Sequence, residues 1–216
     1  MTILSPTGET RVNSYLARNQ WGSEVIALPD GGWLVVWQSG NQDGSSYGIY
    51  QQRFDSRGYA LGPETQLNTY TTNGQQVPSI ALLADGGWVV AWQSWAQGGS
   101  GDGVYMQRYD DEGRPQLLDE AGLPMEVQIS ATSFRSQHSA QITAMPDGGW
   151  LVTWTSSSAD RYDIHQQRYN SFGEAIGPTT PTGINLSARR VPEGAPRDTP
   201  VGALSAVVLD DTQPLT

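Results

Sequence analysis

The stretch Asp30-Gly31-Gly32-Trp33-Leu34-Val35-Val36-Trp37 decides how this chain is read, because it occurs three times. It returns as Asp85-Gly86-Gly87-Trp88-Val89-Val90-Ala91-Trp92 and as Asp147-Gly148-Gly149-Trp150-Leu151-Val152-Thr153-Trp154. An Asp-Gly-Gly turn leading into an apolar run is a strong hairpin signal, since glycine supplies the positive φ that tight turns require. The strand that follows is apolar on both faces: Trp33, Val35 and Trp37 alternate with Leu34 and Val36. Such a strand lies between two layers.

Outward from the turn the same register holds. Gln20, Gln75 and Gln137 each precede the Asp by 10 residues, and Glu9, Glu64 and Glu126 precede that Gln by 11. Gln52-Arg53-Phe54, Gln107-Arg108-Tyr109 and Gln167-Arg168-Tyr169 follow. The copies are predicted at 9–63, 64–125 and 126–178, with an insertion between Gly113 and Glu126. Each reads as four short strands, in the first copy 10–13, 24–28, 33–38 and 49–54, and no stretch has a helical period.

Four-stranded antiparallel units that need cover on both faces predict an all-β, propeller-like array of three blades over residues 1–178. A β-trefoil, also built from three four-stranded repeats, is the alternative. Three blades do not close a ring and leave two apolar faces to cover. The expected partner is a second copy, giving six blades by two-fold symmetry, or neighbouring repeats of a longer array.

Composition narrows the chemistry. Of 216 residues, 12 are basic and 22 acidic, a net charge of −10 that disfavours nucleic acid. Every basic residue is Arg, so Schiff-base and phosphate-loop lysine chemistry are excluded. Without Cys there are no disulfides or thiolate sites, and His138 and His165 cannot make a three-His zinc site. No apolar run reaches membrane-spanning length, so no membrane insertion is expected, and the first residues lack the pattern of a signal peptide.

Six of the eight Trp occupy the same two places in every copy, which marks them as core. Trp21 and Trp95 break the pattern. A loop Trp is a platform for a sugar ring, and with Gln97 and Asp102 these two form the candidate carbohydrate-binding site. Asp43, Asp102, Asp160 and Asp163, in polar hairpin tips, are the candidate calcium ligands, although none has regular calcium-loop spacing. No cofactor is required on this reading, and calcium stays an open alternative. The repeating Arg53, Arg108, Arg168 and Asp30, Asp85, Asp147 are expected to form one structural ion pair per blade. No Gly-x-Ser-x-Gly elbow is present, and paired glycosidase carboxylates would need the fold to bring two acids together.

Past the repeats, 179–183 reads as a linker. The segments Ile184-Asn185-Leu186-Ser187, Val191-Pro192-Glu193-Gly194 and Val201-Gly202-Ala203-Leu204-Ser205-Ala206 resemble the opening strands of a cadherin-like domain, of which 184–216 would be a part. Where that family carries a calcium-binding DxD, this chain has Val207-Val208-Leu209-Asp210-Asp211. The repeat, Asp-Gly-Gly-Trp-x-Val-x-Trp followed by Gln-Arg-Phe/Tyr, resembles those of large bacterial surface and secreted proteins of the RTX and adhesin type. That resemblance implies a secreted or cell-surface location and a non-enzymatic module for adhesion through carbohydrate recognition. A self-association segment is the alternative, and a polysaccharide-acting hydrolase the minor one.

Overall fold

The computed structural model describes residues 8–99, 101–130, 136–157 and 160–177, together with the backbone of two short strands beyond them. The chain is an all-β propeller-like array. Three antiparallel four-stranded sheets follow one another: β1 (Gln20–Ala27), β2 (Trp33–Gly40), β3 (Tyr47–Phe54) and β4 (Thr65–Gln66); β5 (Gln75–Leu82), β6 (Trp88–Trp95), β7 (Asp102–Tyr109) and β8 (Val127–Gln128); β9 (Gln137–Ala144), β10 (Trp150–Ser157), β11 (Tyr162–Tyr169) and β12 (Ala175–Ile176). Strands β1, β5 and β9 are the inner strands, each touching the next. A separate unit from 176 onward holds a two-stranded antiparallel sheet, β13 (Gly183–Leu186) with β14 (Leu204–Val207). The rest of the cadherin-like stretch lies outside the described residues.

The Asp-Gly-Gly turn works through both of its glycines. Gly31, Gly86 and Gly148 have φ of 82°, 86° and 86°, the left-handed region where a side chain is strained. At Gly32, Gly87 and Gly149 a Cβ would run into the carbonyl oxygens of Phe54, Tyr109 and Tyr169. The Asp side chain closes each turn by accepting the N–H of the second glycine, at 2.9 Å for Asp30 and 3.0 Å for Asp85. Its second oxygen pairs with the Arg of the third strand: Arg53 with Asp30 at 2.9 Å, Arg108 with Asp85, and Arg168 with Asp147. The recurring charges are therefore structural, as the repetition suggests.

The blades are cut differently from the sequence copies. Residues 65–68 read as the first strand of the second copy, but Thr65–Gln66 joins the first sheet as its outer strand, opposite Gln51 and Tyr50. Val127–Gln128 does the same for the second sheet. Each blade thus takes its fourth strand from the start of the next copy. The segment then leaves its own blade to lie on the next: Leu67 packs with both Ile49 and Trp92.

Packing runs face to face between blades. Leu34, Val36 and Ile49 of the first meet Trp88, Val90, Trp92 and Tyr105 of the second. Val89, Val104 and Met106 of the second meet Trp150, Val152 and Trp154 of the third. Both faces of the Trp-headed strand are buried, which its apolar run requires. Polar ties reinforce the apolar contact. Arg53 donates to the Asp111 carbonyl at 2.7 Å, the Arg108 guanidinium lies 5.7 Å over the Trp150 ring, and Tyr109 donates to the Leu67 carbonyl at 3.2 Å.

Candidate functional site

One rim of the array gathers the start of each inner strand and the hairpin between the second and third strands of each blade. Two places on it vary from blade to blade while the surrounding frame is kept. The first holds Trp21, Gln76 and His138; the second holds Tyr47, Asp102 and Tyr162. In the outer blades these are aromatic pairs of the same geometry. Trp21 meets Tyr47, and His138 meets Tyr162, edge to face with centroids 6.0 Å apart and rings at 71°. The middle blade puts Gln76 and Asp102 there instead.

A bulge in each inner strand makes room for this. The ladder slips between Trp21 and Glu24 and between Gln76 and Ser79, and Gly22, Val77 and Ser139 have φ of 65°, 53° and 56°. Only the first copy has glycine at this place, so two side chains are held in the left-handed region. Val77 is stabilised there by donating its N–H to Gln38 Oε1 of the preceding blade at 2.7 Å.

Asp102 opens β7 directly opposite Trp95, the last residue of β6. It is half-buried, and burial pushes its carboxyl above the usual carboxylate range; a hydrogen bond from the Gln93 side chain and the charge of His138 pull the other way. Partial burial is thus the dominant influence on this rim carboxyl. Trp21 and Trp95 are 56% and 50% exposed, and they stand on the same rim: Tyr47, which carries Trp21, bridges to Gly74, whose carbonyl accepts the Trp95 N–H at 2.9 Å. Beside Trp21 lies a cavity of about 470 Å³ lined by Arg18, Asn19, Gln20, Trp21 and Tyr47.

Of the four residues proposed from sequence for sugar binding, Trp21, Trp95 and Asp102 lie on this rim, Trp21 against Tyr47 and Asp102 hydrogen-bonded by the Gln93 side chain. The Gln97 amide donates to Glu126 Oε2 at 2.6 Å. Glu126 in turn holds the backbone N–H groups of Thr69 and Tyr70, so Gln97 is a strut of the blade. Gln42 does the same for Glu64 at 2.8 Å, a repetition visible in the alignment of the copies. The calcium candidates do not converge: Asp43 accepts from Ser45 and Gln66, Asp163 pairs with Arg161 at 3.0 Å, Asp160 is exposed, and Asp102 is in another blade. Among the described residues no three His, Cys, Asp or Glu side chains gather as a metal site would require. Tyr47 and Tyr162 were missed, although they align with Asp102.

No protein-family profile matches the sequence, and no curated protein is similar to it. Among solved structures, the chain resembles an endo-arabinase from Bacteroides thetaiotaomicron VPI-5482, with 12% identity and a TM-score of 0.48, over 75% of this chain and 62% of that one. It also resembles a thermostable family-43 glycoside hydrolase, with 14% identity and a TM-score of 0.45, over 79% of this chain and 56% of that one. The chain thus spans less than two thirds of the length of these structures, and the likeness concerns the fold. It corrects one expectation nonetheless. The chain was read as a non-enzymatic adhesion module, with no enzyme activity; against that expectation, the two solved chains it resembles are an endo-arabinase and a family-43 glycoside hydrolase.

Proposed function

We propose that the chain acts on a polysaccharide as a glycoside hydrolase, with Asp102 as the proton donor and Trp95 and Trp21 as stacking platforms for sugar rings. The observation that carries this is the Asp102 carboxyl, half-buried beside Trp95 and shifted towards its protonated form. A glycosidic oxygen leaves readily once protonated, and a carboxyl raised above the usual carboxylate range is suited to donate that proton. The exposed indoles supply flat apolar faces. A polymeric glycan is met outside the cell, which suits a secreted or surface location.

The test is release of reducing ends from a panel of neutral and acidic polysaccharides. Asp102→Asn is expected to lower turnover by about 10²- to 10⁴-fold, the usual contribution of a general acid, and Trp95→Ala to raise KM more than it lowers kcat. Hydrolysis also needs an opposing carboxylate. The only acid on the three inner strands is Glu24, which is exposed, and Glu24→Gln tests it in the same assay. No release across the panel sinks the reading, and release unaffected by Asp102→Asn removes Asp102 from it.

A further inference from the structure

The segment before the first blade has the build of a fourth strand without a blade. Glu9-Thr10-Arg11-Val12-Asn13 aligns with Glu64-Thr65-Gln66-Leu67-Asn68 and Glu126-Val127-Gln128-Ile129-Ser130. Its polar network is that of its counterpart. Asn13 Nδ2 donates to the Tyr15 carbonyl at 2.7 Å and to Gln20 Oε1 at 3.2 Å, as Asn68 Nδ2 donates to the Tyr70 carbonyl at 2.9 Å and to Gln75 Oε1 at 3.1 Å. Val12 packs on the leading face of the first blade, against the cluster of Val35, Trp37 and Tyr50, as Leu67 packs on the second.

One half of the latch is missing. Leu67 N–H donates to the Ile49 carbonyl at 2.8 Å, and Asn68 Oδ1 accepts the Ile49 N–H at 2.7 Å. In the second blade Ile129 and Ser130 do the same for Val104. Among the described residues Val12 and Asn13 have no third strand to serve. At the other end of the array Ile164, which aligns with Ile49 and Val104, has no such strand beside it among the described residues: β12 follows the Asn170–Glu174 turn directly and pairs with β11. Ile164 is 76% exposed, where Ile49 and Val104 are fully buried.

The two faces show matching gaps. On the leading side Val25 is exposed where Ile80 is buried, and Trp33 is half-buried where Trp88 and Trp150 are covered. On the trailing side the Arg168 side chain is 45% exposed, against 27% for Arg53 and 16% for Arg108, which reach the next blade. Each end lacks what the other offers.

We infer that a second copy of this chain docks its third blade on the first blade, and that the arm 9–13 pairs in trans with β11 as that blade's fourth strand. The internal contacts between blades are the template for the joint. In their register Arg11 falls opposite His165 and Thr10 opposite Gln166, as Gln66 falls opposite Tyr50 and Thr65 opposite Gln51. The segment Gly183–Leu186, whose Ile-Asn-Leu could serve the same edge, is paired with Leu204–Val207. Two such exchanges related by a two-fold axis use both ends of both chains.

The chain has no Cys, so single thiols report the joint cleanly. Residues facing each other across an antiparallel pair are close enough for a disulfide. An oxidised mixture of Arg11→Cys and His165→Cys chains should give a cross-linked dimer that neither yields alone. The unmodified chain should sediment as a dimer at micromolar concentration, and Ile164→Arg, at a site already exposed in the single chain, should raise the dissociation constant at least tenfold. A chain that stays monomeric at tens of micromolar, or a mixture that does not cross-link, overturns the inference. A double-cysteine chain that closes on itself as a covalent monomer does so too, as would recovery of the edge by 183–186, read as a cross-link from Ile184→Cys to His165→Cys within one chain.

Discussion

The backbone N–H of Val77 donates to Oε1 of Gln38 across the joint between the first two blades, at 2.7 Å. Val77 has a φ of 53°, unfavourable for a β-branched residue, and Gln38 is 1% exposed. The bond therefore holds a strained bulge from the neighbouring blade. Gln38→Ala would leave the Val77 N–H without its acceptor and open a cavity beside it. The expected loss is about 1 kcal/mol, the net worth of one part-buried hydrogen bond, measured by urea denaturation followed through tryptophan fluorescence. Val77→Gly relieves the strained φ and should offset part of that loss in the double variant; strict additivity would mean that the two residues are not coupled.

The two glycines of the turn should respond differently to the same change. Gly86→Ala places a methyl group in the left-handed region, where the Cβ meets Asp111 only at 3.5 Å, and should cost on the order of 1 kcal/mol. Gly87→Ala drives its Cβ into the Tyr109 carbonyl, with Asp110 close behind, so backbone must move. Its cost should exceed that of Gly86→Ala by about 2 kcal/mol or more. Equal midpoints for the two variants in one denaturation series would show that the clash is relieved elsewhere.

Local chemistry was legible and longer-range choices were not. The Asp-Gly-Gly turn, the two-faced strand and the Arg53 to Asp30 pair could be read from residues because each depends on neighbours in a hairpin. The phase of the blades could not: Thr65 and Gln66 have the same residue pattern whether they open one sheet or finish another, and pairing to Tyr50 and Gln51 decides it. Gln97 looked like a free amide in a loop, yet its match with Gln42 carried the signal that it is a strut. Trp21 and Trp95 stood out as departures from the repeat, whereas Tyr47 and Tyr162 became visible only when the hairpins were aligned on Asp102.

Tyr109 ties the second blade to the outgoing strand of the first through its hydroxyl, which donates to the Leu67 carbonyl at 3.2 Å. Burial pushes its phenol far above the ordinary value, so it stays a neutral donor over the accessible pH range. Tyr109→Phe keeps the ring stacked on Trp88, at 5.9 Å, and removes only the hydroxyl. About 1 kcal/mol should be lost, the net worth of one buried hydrogen bond, with no change in the pH dependence of unfolding between pH 5 and about 9. A loss several times larger would assign Tyr109 a packing role beyond this bond.

Asp102 sets a pH dependence of the opposite sense to that of the turn carboxylates. Burial raises its folded pKa above the unfolded value of about 3.9, so the folded state binds this proton more tightly than the unfolded one. The group thus favours folding at low pH, and that contribution is lost as pH rises through the raised value. Asp30 and Asp147 behave in reverse: the N–H groups of Gly32 and Gly149, and then Arg53 and Arg168, lower their carboxyls, and what they add disappears as pH falls through the lowered values. Both proteins carry these turns, so they cancel when wild type is compared with Asp102→Asn. The stability of wild type relative to Asp102→Asn should fall as pH is raised above about 3.9 and through the raised folded value, and then level off. Paired denaturation curves across that range check it. A difference that stays flat, or that moves in favour of wild type as pH rises, would show that the carboxyl is well solvated and unfit to hold the proton assigned to it.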